Sequence, residues 1–182
     1  MAEPLWARER VEVVAHDPAW AERAARDVRD LGRRLSPWLV TSVEHIGSTA
    51  IPGLPAKPII DLMADVRCFD VVPELEAALR PAGWHLVPPE LDRRAWRRFF
   101  VKVVDDRRVA HLHVVVAGEP RWTEQLVFRD RLRNDAALRD DYARVKLAAA
   151  ARHADDREAY TAAKAGFIRD VLQGRHGSAG SK

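Results

Sequence analysis

Apolar residues recur along this chain in two rhythms, and the change from one to the other organises it. Trp20, Ala24, Val28, Leu31 and Leu35 follow at spacings of three and four, the period of one helix face. Asp17-Pro18 opens that helix, with Asp17 as N-cap and Pro18 at the first helical position, and Ser36-Pro37 closes it. Short apolar runs at Val11 to Val14, Val40 to Ile46, Ile59 to Val66 and Trp84 to Val87 read as strands. The run from Ile59 is apolar on both faces except at Asp61 and Asp65, which predicts a strand inside its sheet. Prolines 52, 55 and 58 keep the segment before it from being helical, since each interior proline costs about 3 kcal/mol.

Pro73 to Leu79 predicts a helix with Leu75, Ala78 and Leu79 inward, stopped by Gly83. Arg98 to Val104 and Val109 to Val116 predict a hairpin turning at Asp105 to Arg108. Three helical patterns complete the chain. Thr123 to Leu132 would turn Leu126, Val127 and Leu132 inward, and Asp135 to Ala151 would bury Leu138, Tyr142, Val145 and Leu147. Asp156 to Leu172 would bury Tyr160, Phe167, Ile168 and Leu172. The expected architecture is α+β: one domain over 1–173 with a small mixed β-sheet flanked by helices, a helical C-terminal third, and a disordered tail over 174–182.

Composition narrows the partners. Charged residues make up 31% of the chain, yet the formal net charge is only +3, because basic and acidic positions are interspersed. They read as solvated helix faces, not as a nucleic-acid stripe, and Trp84, Trp96 and Trp122 read as packing residues. The one dense basic cluster, Arg93, Arg94, Arg97 and Arg98, could serve a phosphate-bearing ligand. Cys68 stands alone, which excludes a disulfide framework and fits a reducing cytoplasm. No signal-peptide core and no membrane-length apolar run is present, so a soluble, cytoplasmic protein is expected.

The chemistry concentrates between His45 and Asp61, H-I-G-S-T-A-I-P-G-L-P-A-K-P-I-I-D. Gly47-Ser48 follows a strand directly; glycine lets the backbone turn close to a ligand, and Ser48 adds a hydroxyl. The G-K-[ST] ending of a Walker A loop is missing. Asp61 sits in an apolar strand, where an acid is expensive unless paired or bound to a cation. Along that strand Asp61, Met63 and Asp65 share a face. Asp65 lies about 13 Å further on, too far to share an ion with Asp61, and is expected to open the following loop. Lys57 reads as a phosphate clamp or as the counter-ion of Asp61. His111 and His113 share a face of one strand, fit to bind a metal, donate to a phosphate, move protons or pack in the core, and His45 could join them. Arg129 and Arg133, one turn apart, form an anion site or an ion-pair ladder with Asp130.

These motifs, with V-E-V-V-A-H-D-P-A-W, H-L-H-V-V and L-V-F-R-D-R-L-R-N, make the chain resemble the GrpB family from about Val11 to Leu172. The resemblance implies a nucleotidyltransferase-like fold. It also implies an association with coenzyme A biosynthesis and a coenzyme A-pathway kinase as partner, because some relatives are fused to dephospho-coenzyme A kinase. In the wider superfamily an apolar residue and G-S precede an acid-x-acid strand. Ile46, Gly47, Ser48 and Asp61 match, whereas Met63 replaces the second acid and His113 stands near the place of a third.

The expected function is therefore a nucleotidyltransferase-like enzyme acting on a nucleotide or other phosphate-bearing small molecule. Gly47, Ser48, Lys57, His45, His111 and Arg129 would hold substrate. Asp61 would bind Mg²⁺ or Mn²⁺, with His113 completing the catalytic pair. The alternative is a non-catalytic nucleotide- or cofactor-binding module with a degenerate metal site.

Overall fold

The computed structural model describes residues 10–176. The start of the chain and most of the expected tail, from 177, lie outside the described residues. A helix α1 (Ala19–Leu35) is followed by a strand β1 (Leu39–Ile46), a single 3₁₀ turn at Ser48–Ala50 and β2 (Ile60–Val66). Then come α2 (Val72–Leu79), β3 (Trp84–Val87), a four-residue α3 (Pro89–Asp92) and the hairpin β4 (Arg97–Val104) and β5 (Arg107–Val116). Helices α4 (Pro120–Asn134), α5 (Ala136–Arg152) and α6 (Arg157–Leu172) complete the described chain. The mixed sheet runs β1-β2-β5-β4-β3, with β2 and β5 parallel and every other pair antiparallel.

Local chemistry accounts for most boundaries. Pro18 already has helical dihedrals and Asp17 Oδ1 accepts from Ala19 N at 2.9 Å, so the acid caps α1. Asp135 and Asp156 cap α5 and α6 in the same way. The hairpin turns on Asp105 and Asp106, both left-handed (φ 49° and 56°), as a two-residue connection between twisted strands demands. Gly83 ends the helical stretch after α2 at φ 79°, where a side chain would be strained.

One face of the sheet is sealed. Trp20, Ala24, Leu31 and Leu35 of α1 and Leu75 and Leu79 of α2 pack on Ile60, Leu62, Leu112, Val114 and Phe100. Burying each large side chain contributes roughly 1.5–3 kcal/mol. The other face looks toward the helical C-terminal third. There Phe128, Leu132, Leu138, Tyr142 and Val171 enclose Ile51 and Leu54, which the proline-rich loop delivers from the sheet side.

Four expectations are corrected. Val11 to Val14 forms only one bridge, Val14 with Ala56, because Val11 N donates instead to Ala154 O at 2.7 Å; the segment spans helices and loop without joining the sheet. Asp65 does not open a loop. It is buried in β2 and accepts from Thr41 N and Oγ1, both at 2.9 Å, where the β1–β2 register slips and leaves that amide outside the ladder. Val127 and Leu147 face solvent, while their neighbours Phe128 and Lys146 are buried.

Candidate functional site

The sheet face turned toward the C-terminal helices carries the polar residues. In the β2–β5 register Asp61 stands opposite His111 and Met63 opposite His113, so one carboxylate and two imidazoles share a face on neighbouring strands. His111 Nδ1 donates to Asp61 Oδ1 at 2.9 Å, and His113 Nε2 faces the same oxygen at 3.7 Å. Burial pushes the Asp61 carboxyl up, but the hydrogen bonds from His111 and His113 outweigh it and hold it well below the usual carboxylate range. Burial brings His111 down to about 4 and lowers His113 as well, so both rings are neutral at neutral pH.

The Gly47 turn closes on this cluster. Gly47 has φ 69° and ψ −167°, a conformation open essentially to glycine alone. A Cβ there would lie 2.7 Å from Asp61 Oδ2 and 3.0 Å from Asp61 Cβ. Ser48 hydrogen-bonds Tyr142 of α5. Behind the turn, His45 Nε2 is 3.0 Å from Thr49 Oγ1, which donates on to Ile59 O. Burial lowers His45 to about 4; its place is beneath the turn.

Around these residues opens a cleft of about 850 Å³. Its sheet wall carries Asp61, Phe99, Arg97, Arg108, His111 and His113, and its helical wall Lys146, Tyr160 and Lys164, with Ser48 and Lys57 between. Sequence reasoning passed over the two helical lysines. Lys146 Nζ reaches Pro55 O, and burial lowers it to about 7. Lys164 lies over the Tyr160 ring at 3.9 Å, and burial lowers it to about 8. Their signal was present: Lys146 falls on the Leu138–Tyr142–Ala149 stripe, and Lys164 lies one turn after Tyr160.

Arg129 is placed elsewhere. Its guanidinium ties α4 to β1, donating to Glu44 at 2.9 Å, to His45 O at 3.0 Å and to Asp130 at 2.7 Å. The arginine cluster disperses as well. Arg94 bonds Glu158, Arg98 lies over Phe69, and Arg97 donates to both oxygens of buried Asp92 at 2.9 and 2.6 Å and to His113 Nδ1.

The magnesium or manganese ion expected at Asp61 can be judged on these donors. By distance, Asp61, His111 and His113 each bring one ligand atom within 4.8 Å of the others. By chemistry the set does not fit Mg²⁺, which is held through carboxylates, phosphates and water. The second acid position is Met63, fully buried.

A five-stranded mixed sheet with a glycine-serine turn facing an acid on the next strand gives the chain a fold of the nucleotidyltransferase-like class. Its fold matches the Cid1 poly(U) polymerase bound to Mg 3′-dATP, with a TM-score of 0.56, 13% identity and coverage of 83% of this chain and 49% of that one. Within that class the chain belongs to the GrpB family, whose model, described as GrpB protein, matches residues 10–174. The crystal structure of conserved protein GrpB from Enterococcus faecalis superposes with a TM-score of 0.78 at 29% identity, covering 90% of this chain and 96% of that one. UPF0157 protein PA4798 of Pseudomonas aeruginosa is 38% identical over 172 residues, 90% of this chain and 67% of the relative. UPF0157 protein YqkA of Bacillus subtilis is 32% identical over 165 residues, 91% of this chain and 47% of the relative. A protein named dephospho-CoA kinase from Mycolicibacterium paratuberculosis is 32% identical over 189 residues, 92% of this chain and 46% of that protein. The chain thus spans about half the length of the last two. Among the described residues, no helix is long and apolar enough to cross a membrane.

Proposed function

We propose that the cleft binds a nucleotide or another phosphate-bearing small molecule. One observation carries this reading: Lys146 and Lys164 are drawn into the cleft without an ion-pair partner in contact among the described residues, and burial disfavours their charge more than the more distant Asp61 carboxylate supports it. A buried ammonium in that condition is stabilised by an incoming anion. Lys57 lines the same cleft and adds to their mutual repulsion. The Gly47-Ser48 turn adds a hydroxyl and close backbone approach at the acid end.

As an enzyme, the protein would transfer a nucleotidyl group, with phosphates on the lysines and the serine turn and the reacting phosphorus toward Asp61 and His113. Protein cations and N–H donors would then stabilise the charge that develops. The buried Met63 favours a second reading, an accessory module that binds nucleotide or cofactor without turnover, in company with a coenzyme A-pathway kinase. The dephospho-CoA kinase name of one relative supports testing that pathway's intermediates first.

Calorimetry with nucleoside triphosphates, coenzyme A precursors and inorganic phosphate tests the shared claim. Binding is expected, with loss in Lys146→Met and Lys164→Met. No binding by any of these ligands, or undiminished binding by both variants, overturns it. Pyrophosphate release with an acceptor separates enzyme from module.

A further inference from the structure

The hydrogen-bond polarity around Asp61 carries a conclusion about cations. A guanidinium only donates, so His113 Nδ1, which Arg97 approaches, must be the accepting nitrogen. The neutral ring then carries its proton on Nε2, the nitrogen that faces Asp61. A carboxylate oxygen below its protonation range accepts, so His111 holds its proton on Nδ1. The nitrogens that His111 and His113 turn toward Asp61 are thus both N–H groups, while the other nitrogen of His111, Nε2, is buried without a hydrogen-bond partner among the described residues.

For His113 to ligate a metal through Nε2, that proton would have to move to Nδ1. There it would meet Arg97, another donor. Metal-bound histidines are oriented in the opposite sense, with the second nitrogen donating to a carboxylate or carbonyl. Arg97 cannot easily turn away, because it is 8% exposed and its other nitrogens are held by both oxygens of Asp92, itself 7% exposed. If Arg97 left, that buried acid would keep only the longer contact with Arg94 Nη1 at 3.6 Å, and losing its two-point partner in the interior is unfavourable.

We infer that Arg97, fixed by Asp92, closes the Asp61–His111–His113 cluster to divalent cations, and that the cleft takes its anionic ligand directly on protein cations and N–H donors. The inference rests on the cleft being the binding site, but its central claim is tested without any ligand. Asp61 acts here as a fixed acceptor that orients two imidazole donors. Arg97 is a positioning residue that sets the tautomer of His113.

The experiment titrates EDTA-treated protein with Co²⁺, following visible absorption, and with Zn²⁺, Mn²⁺ and Mg²⁺ by calorimetry. The wild type is expected to show no stoichiometric site dependent on His113. Arg97→Gln reverses the polarity, because the amide nitrogen can still donate to Asp92 while the amide oxygen accepts from His113 Nδ1–H. It should gain cobalt affinity by about 10–100-fold, the range over which such outer partners act. Asp92→Asn with Arg97→Gln repeats the test without a buried unpaired charge if the single variant folds poorly, as judged by circular dichroism. A wild-type cobalt or zinc site that disappears in His113→Ala overturns the inference, as does a folded Arg97→Gln protein with wild-type cobalt affinity. Phosphate or nucleotide binding unchanged by EDTA supports it, and binding that requires a divalent ion overturns it. Absence of any anion binding, with the cobalt results as expected, would refute the proposed function and leave the closure to cations standing.

Discussion

The carboxylate of Asp61 occupies the space that a side chain on Gly47 would need: a Cβ there would sit 2.7 Å from Asp61 Oδ2. Turn and acid lie on antiparallel neighbours, with Ile46 opposite Asp61 in the β1–β2 register. The glycine is required twice, by its backbone dihedrals and by the approach of the acid. Gly47→Ala is therefore expected to cost about 1–3 kcal/mol from backbone strain alone. Denaturant unfolding measures it, and a variant as stable as the wild type would contradict the geometry.

Much of this site could be read from the chain. G-S followed by an acid in an apolar strand predicted the turn and its facing carboxylate, and H-L-H predicted two rings on one face. That the rings meet Asp61 was not legible, because it depends on β2 and β5 being parallel neighbours across the long connection between them. Arg97 could not be assigned either. A run of arginines carries no sign of which one will turn inward, and only Asp92, on a helix of one turn, decides it.

His45 makes the acid side of the stability profile testable. Burial lowers it from 6.5 to about 4, so between those values the unfolded chain binds a proton that the native state refuses. Native stability should fall as pH drops through that window. His45→Gln should flatten the slope there, as followed by urea midpoints at stepped pH. An unchanged slope would show that His45 is solvated.

Lys146 acts on the alkaline side. Its folded value near 7 lies below the ordinary 10.5, so between these the native state has lost a proton that the unfolded chain keeps. Wild-type stability should rise with pH across that interval, and Lys146→Met should remove this contribution to the slope. Midpoints that fall with pH in the wild type across the same interval would contradict the burial of this lysine.

Anion binding should show the reverse dependence. A bound phosphate favours the ammonium forms of Lys146 and Lys164, which are lowered to about 7 and about 8 in the free protein. Affinity for inorganic phosphate or nucleotide should weaken as pH rises through those two values, with proton uptake on binding measurable by calorimetry in buffers of different ionisation enthalpy. Affinity constant over that range would assign the binding to other cations.

Asp65 gives a purely structural test. Removing its carboxylate in Asp65→Ala leaves the Thr41 amide without its acceptor at the slipped register of β1 and β2. A loss of about 1–3 kcal/mol is expected, against about 0.5–1.5 for Thr41→Val, which removes only the hydroxyl bond. Equal losses would mean that the side-chain hydroxyl, not the amide, is what Asp65 serves.

The proline-rich loop sends Ile51 and Leu54 into the helical core and, three residues later, Lys57 into the cleft. Sheet and bundle are therefore geared together through one short, stiff segment. Any rocking of the bundle would carry the loop and its ammonium with it, so the width of the cleft mouth and the position of that charge are set by the same mechanical part.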